Sequence, residues 1–125
     1  MSIFSINEAS SGDFTTLSKR LRLRSFQFHD ITPTYLSWIN DPLITRFSNQ
    51  RFKKHTKISC RQYLESFKNT VNDFLLIERL CDNRAIGTLS VYRNTHHGTA
   101  DIGLMIGESC VWGQGFGQEA WQAML

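Results

Sequence analysis

The chain is poor in residues that punctuate or cross-link a fold, with two prolines, eight glycines and three cysteines in 125 residues. So little Pro and Gly, beside 41% hydrophobic and 20% charged residues, excludes collagen-like and disordered classes and leaves one globular core. Cys60, Cys81 and Cys110 are widely spaced and form neither a CxxC pair nor a Cys/His ligand set, so the sequence predicts no metal and a reducing, cytoplasmic compartment. No stretch approaches the ~18 consecutive apolar residues of a membrane helix. Residues 1–17 lack the basic start, apolar run and cleavage pattern of a secretory signal. Charge of one sign is also scarce: 14 Lys and Arg against 11 Asp and Glu leave +3, too mild to point to a nucleic acid or a membrane as partner.

Residues 1–18 show no periodicity and read as an N-terminal extension, with the domain at 19–125. From Lys19, Leu21 and Leu23 alternate with Arg20, Arg22 and Arg24, which predicts a strand with buried leucines and a solvated guanidinium face. Thr32-Pro33 supplies an N-cap and a first-turn proline for a helix over 32–40, ended by Asn40-Asp41-Pro42. Leu43 to Lys57 reads as a loop. Ser59 with Gln62 suggests a capping box for a helix over 59–70. Strands are expected over 74–80, 85–92 and 99–107, joined as antiparallel hairpins. A glycine-rich turn then leads into Gln118 to Leu125, helix-forming by propensity.

The informative segment is Asp101-Ile102-Gly103-Leu104-Met105-Ile106-Gly107, followed by Glu108-Ser109-Cys110-Val111 and then Trp112-Gly113-Gln114-Gly115-Phe116-Gly117-Gln118-Glu119-Ala120. A strand feeds a glycine turn that opens a helix. Such a turn aims successive backbone N–H groups at one spot, and the helix dipole adds partial positive charge, so a pyrophosphate can be held without a basic side chain. Other phosphate motifs fit poorly. The P-loop needs Gly-Lys-Ser/Thr, and the third glycine of the dinucleotide fingerprint falls on Gln118.

These residues resemble the coenzyme-A motif of the GNAT acetyltransferases, Gln/Arg-x-x-Gly-x-Gly/Ala, here Trp112 to Gly117, with Trp112 departing at the first position. A Trp-Gly-x-Gly-Tyr/Phe-x-x-Glu-Ala form occurs in the branch that includes the ribosomal-protein alanine acetyltransferases, and Glu119-Ala120 matches it. The resemblance extends through Arg22 to Arg24, Tyr35 to Pro42 and Ile86-Gly87, and covers about Arg20 to the C-terminus.

The resemblance implies an α/β (α+β) fold, a mixed, mainly antiparallel sheet flanked by helices, with the C-terminal strands missing from a domain that stops inside its cofactor helix. It implies an enzyme that passes the acetyl group of acetyl-CoA to a primary amine by direct attack on the thioester. The acceptor is a small amine, such as a nucleotide-linked amino sugar, or a protein N-terminus. Leu104, Met105 and Ile106 would offer backbone groups to the pantetheine arm and the acetyl carbonyl, and Trp112, Gly113, Gln114, Gly115, Phe116, Gly117 and Gln118 would hold the pyrophosphate.

No short motif assigns the catalytic base. Asp101 and Glu108 are the candidates; the plainer alternative makes Asp101 a strand-edge charge and Glu108 a solvated loop residue. Arg51 and His55 belong to a cluster with Lys53, Lys54 and Lys57 that borders the acceptor channel in this family and suits an acidic acceptor; the plainer alternative is a solvated surface. His96 and His97 read as a hairpin tip. A competing function is a non-catalytic coenzyme-A-binding remnant or a basic binding module. If the Thr99–Gly107 strand is left as an open edge, homodimerisation or strand exchange is one remedy.

Overall fold

Alternation at Leu21 and Leu23 is realised as a strand whose leucines are fully buried. The computed structural model describes residues 15–45, 54–94 and 96–124. Five strands, β1 (Thr15–Leu17), β2 (Leu21–Ser25), β3 (Asp73–Arg79), β4 (Arg84–Asn94) and β5 (Thr99–Ile106), form one antiparallel sheet in the order β1-β2-β3-β4-β5. Helices α1 (Pro33–Ile39), α2 (Pro42–Thr45) and α3 (Lys57–Glu65) follow β2, and α4 (Phe116–Ala123) follows β5. Among the described residues no helix is long and apolar enough to cross a membrane.

The sheet has a core on each face, which makes three layers. On one face Leu21, Leu23, Leu75, Ile77 and Leu89 pack against Val111, Phe116 and Ala120 from the α4 side. On the other, Phe26, Phe74 and Leu76 pack against Tyr35, Trp38, Ile39 and Cys60 from α1 and α3. Each fully buried leucine or isoleucine contributes about 1.5–3 kcal/mol of transfer free energy, so these rows dominate cohesion. A bulge opposite Ile77 and Glu78 changes the parity of β4, and both Ile86 and Leu89 therefore point to the α4 face.

Several sequence-based boundaries move. Thr15–Leu17, inside the stretch read as an extension, pairs with Arg22 to Arg24 as an edge strand. Pro42 does not merely stop α1; it starts the short helix α2 within the expected loop. The α3 capping box is Thr56 with Ser59, not Ser59 with Gln62: Ser59 N–H donates to Thr56 Oγ1 at 3.2 Å, and Thr56 N–H donates to Ser59 Oγ at 2.8 Å. That reciprocal pair sets the start at Lys57, and the chain leaves the helix at Ser66 rather than 70. α4 begins at Phe116, two residues before the run of helix formers, because the buried Phe116 ring anchors the first turn.

The guanidinium row is not a solvated face. Arg22 pairs with Glu78, and Arg24 forks onto Asp30 at 2.9 Å through both terminal nitrogens while reaching Glu78. Burial alone would push the Asp30 carboxyl up, but the hydrogen bond from Arg24 and the Gln27 N–H outweigh it and hold it below the ordinary carboxylate range.

Candidate functional site

β5 ends at Ile106, a single 3-10 turn (Ser109–Val111) follows, and the chain swings through Trp112 to Gly115 into α4. Gly113 and Gly115 both take left-handed backbone, with φ of 83° and 81°, conformations that side chains disfavour. Gly115 is the N-cap and brings no side-chain acceptor to the helix start. A left-handed residue followed by helical Phe116 points consecutive N–H groups into one concavity. Among the described residues, the N–H groups of Gly113 to Gln118 make no close hydrogen bond to the backbone. The first-turn donors of α4 are therefore left for a ligand or water.

Side chains brace this turn from two directions. Trp112 Nε1 donates to the Ile106 carbonyl at 2.8 Å, tying the turn to the end of β5. Arg20 Nη1 donates to the Gln114 carbonyl at 3.0 Å from the other side. The Gln114 side chain folds back on the Cys110 carbonyl at 3.4 Å, and the Phe116 ring lies in the core beneath the Arg20 guanidinium. Of the predicted cofactor residues, Trp112, Gln114 and Phe116 thus have their side chains engaged within the protein. A Cβ on Gly117 would stand 3.1 Å from Leu104 Cδ2, so its absence lets α4 approach β5 closely.

On the opposite face of the sheet, a cavity of about 680 Å³ lies between α1, α2, α3 and the β4–β5 pair. Leu104 and Met105 form part of its wall, and Lys54 and His55 another part. Asn40 holds His55 by its backbone: Asn40 Nδ2 donates to the His55 carbonyl at 2.8 Å, and the His55 N–H donates to Asn40 Oδ1 at 2.7 Å. The hydroxyls of Tyr63 and Tyr92 hydrogen-bond to one another at the cavity wall, beside Ser90. Burial, with the Tyr92 hydrogen bond, pushes the Tyr63 phenol well above its ordinary range, and burial likewise raises the Cys60 thiol. Both groups stay protonated and neutral at pH 7. A larger hollow, about 850 Å³, lies by Phe26, Phe28 and Arg61, and no wall of it comes from β4 or β5.

The candidate carboxylates are not brought together. Asp101 is exposed near the start of β5, opposite Tyr92. Glu108 follows the other end, where Arg84 Nη2 donates to it at 3.0 Å. Seven residues of nearly extended chain separate them by roughly 20 Å. Asp101 shares strand parity with Gly103 and Met105, which line the cavity; Glu108 is not among the lining residues. Arg51 lies outside the described residues. Sequence reasoning missed Asn40, read as a helix end, and Tyr63, which falls on the apolar face of the helix expected over 59–70. The available signal for Asn40 was its place at the C-cap of α1, where a short amide side chain is free to bond elsewhere.

Residues 20–125 match the family model of the acetyltransferase (GNAT) domain. The chain belongs to the GNAT acetyltransferase domain family. Among solved structures, a GNAT-family acetyltransferase from Bacillus anthracis superposes with a TM-score of 0.70 at 18% identity, over 89% of this chain and 63% of that one. A Vibrio cholerae protein named as a ribosomal-protein-serine acetyltransferase gives 0.63 at 17% identity, over 92% and 66%. A Trypanosoma brucei acetyltransferase gives 0.53 at 14%, over 83% and 72%. At these identities the likeness is one of fold, and it bears out the α/β architecture of helices flanking a mainly antiparallel sheet expected from sequence, all the described strand pairs being antiparallel. The chain spans less than two thirds of the Bacillus anthracis protein's length. Among curated proteins, none matches the chain.

Proposed function

We propose that this chain binds acetyl-CoA at the turn between β5 and α4 and takes part in acetyl transfer to a primary amine. The observation that carries this reading is the set of N–H groups from Gly113 to Gln118 that make no close backbone hydrogen bond among the described residues, at a helix start that favours an anion. Trp112 through Gln118 serve through the backbone, since three of their side chains are already engaged. Leu104, Met105 and Ile106 present backbone groups to the pantetheine arm and the acetyl carbonyl.

Acetyl-CoA supplies the thioester. The protein's part is to hold a neutral amine against it, stabilise the oxyanion, take the proton the nitrogen loses as the C–N bond forms, and let a proton reach the coenzyme-A thiolate released as the C–S bond breaks. Asp101 is our candidate for that proton, because its strand parity puts it on the cavity face. Glu108, engaged by Arg84, acts by fixing the loop that leads into the turn.

A cavity walled by hydroxyls, with Lys54 and His55 on one side, suits a small acceptor carrying hydroxyls and an acidic group, such as a nucleotide-linked amino sugar. A protein N-terminus is the other acceptor, and the Vibrio cholerae protein's name, which gives a ribosomal-protein serine, supports a protein acceptor. The free thiols Cys60, Cys81 and Cys110 fit a cytoplasmic setting. β5 ends the sheet order and is the edge where a second copy would pair.

The test is titration calorimetry and thermal shift with acetyl-CoA, followed by thiol release with a nucleotide-linked amino sugar and with an N-terminal peptide. Saturable heat and a raised melting temperature are expected. Neither response at millimolar acetyl-CoA would sink the cofactor reading. Binding without thiol release for any amine would favour the non-catalytic alternative.

A further inference from the structure

Arg20 precedes β2 by one residue, yet its side chain ends on a turn more than ninety residues later. Nε donates to Glu119 Oε1 at 2.6 Å, and the guanidinium carbon sits 4.2 Å from the centroid of the Phe116 ring. Nη1 donates to the Gln114 carbonyl, and Nη2 lies 3.6 Å from where a Cβ on Gly115 would stand. The Arg20 N–H and Ser18 Oγ add two more bonds to Glu119, at 2.8 and 2.5 Å. An ion pair this open to solvent contributes little stability by itself. Its geometric consequence is larger.

No peptide bond in the described chain is cis. In a trans peptide the N–H of one residue points opposite to the carbonyl of the residue before it. Holding the Gln114 carbonyl on the Arg20 side therefore turns the Gly115 N–H to the opposite side of the loop. Left-handed Gly115 has no side chain to resist rotation of that peptide, and no other side chain in the described residues bonds the Gln114 carbonyl. Trp112 braces the turn at one end; Arg20 sets the orientation of the peptide at its centre.

We infer that Arg20 is a positioning residue for the anion-binding turn, locking the Gln114–Gly115 peptide so that the Gly115 N–H faces a bound pyrophosphate. The inference rests on the proposed acetyl-CoA reading. It assigns Arg20 no contact with the ligand, and it separates the bond to Gln114, which orients the turn, from the bonds to Glu119, which hold the strand to the helix.

The experiment measures affinity of the full chain for acetyl-CoA and for S-acetylpantetheine, which lacks phosphate, in wild type, Arg20→Met and Glu119→Gln. Arg20→Met is expected to lose about 10- to 100-fold in acetyl-CoA affinity, the worth of one hydrogen bond to a charged group, with S-acetylpantetheine affinity unchanged. Glu119→Gln, which keeps the bond to Gln114, is expected to retain acetyl-CoA affinity while melting lower. In labelled protein, the Gly115 amide resonance should shift on adding acetyl-CoA in wild type and not in Arg20→Met. Should Arg20→Met fail to fold, Arg20→Lys gives the comparison, because its single ammonium is expected to stay on the Glu119 carboxylate, the charged partner, and to leave the neutral Gln114 carbonyl. Equal losses for both ligands, or equal losses in Arg20→Met and Glu119→Gln, would reduce Arg20 to a structural residue and overturn the inference. So would unchanged acetyl-CoA affinity in Arg20→Met. Absence of wild-type binding to acetyl-CoA is a separate result that removes the underlying reading and the inference with it.

Discussion

Gly107 lies flat against the indole of Trp38, so close that a Cβ on Gly107 would overlap Cγ, Cδ2 and Cε2 of the ring. Trp38 is buried on α1, and Gly107 is the first residue past β5. The contact therefore fixes α1 against the end of the strand that carries both the cavity wall and the approach to the glycine turn. Neither partner has room to yield: the ring is packed within the α1–α3 core, and the Gly107 N–H is bonded to the Ile86 carbonyl at 2.8 Å.

Gly107→Ala is accordingly expected to destabilise the protein by about 1–3 kcal/mol, the usual cost of overpacking a filled site. Urea denaturation followed by tryptophan fluorescence measures it. An unchanged midpoint would show that the indole can move aside.

Acid should loosen the link between β2 and α4. Burial alone would raise the Glu119 carboxyl, but hydrogen bonds from Ser18, the Arg20 N–H and the Arg20 guanidinium outweigh it and hold the group below its ordinary value of 4.5. A carboxyl depressed in the folded state stabilises fully above its unfolded value, and that contribution is lost as pH falls through the folded one. The melting-temperature gap between wild type and Glu119→Gln is therefore expected to be constant from pH 7 to about 5 and to close on further acidification. A gap that persists at pH 3 would contradict the assignment.

Asn40→Ala removes both bonds that hold the backbone of His55. Stability is expected to fall by about 1–2 kcal/mol. Under the proposed function, the acceptor KM should rise while acetyl-CoA affinity holds, because the clamp touches the cavity and not the turn. Steady-state kinetics with calorimetry distinguishes the two; a matching loss of acetyl-CoA affinity would show that the cavity and the turn are coupled.

Thr56→Ala takes the N-cap from α3 and should cost about 1 kcal/mol, visible as a lower denaturation midpoint. Gln62→Ala, at the other proposed capping position, is expected to change stability by much less. The reverse order would restore the boundary at Ser59.

Local signals were readable and distant ones were not. Alternating Leu21 and Leu23, the Thr32-Pro33 start and the hairpin strands after Asn72 each follow from neighbours a few residues apart, and each element formed nearly where its pattern put it. The arginines were misread as solvated because Glu78, Asp30 and Glu119 lie on other elements, and nothing near Arg20 in sequence announces a partner in α4. The α3 start was displaced because two overlapping Ser/Thr capping patterns compete there, and only the folded backbone decides between them. At the turn, the glycine spacing was legible, whereas the engagement of Trp112, Gln114 and Phe116 side chains within the protein was not. The Asn40 side chain clamps backbone atoms of His55 fifteen residues on, and a backbone partner leaves no trace in the type of the residue that carries it.

The contact from Ser18 and Arg20 to Glu119 also orders events in time. The pairs β1–β2, β3–β4 and β4–β5 are hairpins that can zip from nearby segments, and β2 meets β3 across about fifty residues, whereas this contact joins positions 99 and 101 residues apart. Closing so long a loop is entropically slow to be rewarded, and it belongs after the sheet has formed. Interactions absent from the transition state act on the unfolding limb, so Glu119→Gln should speed unfolding in a stopped-flow chevron and leave refolding nearly unchanged. The glycine turn is then the last part of the molecule to take shape and the first to come undone.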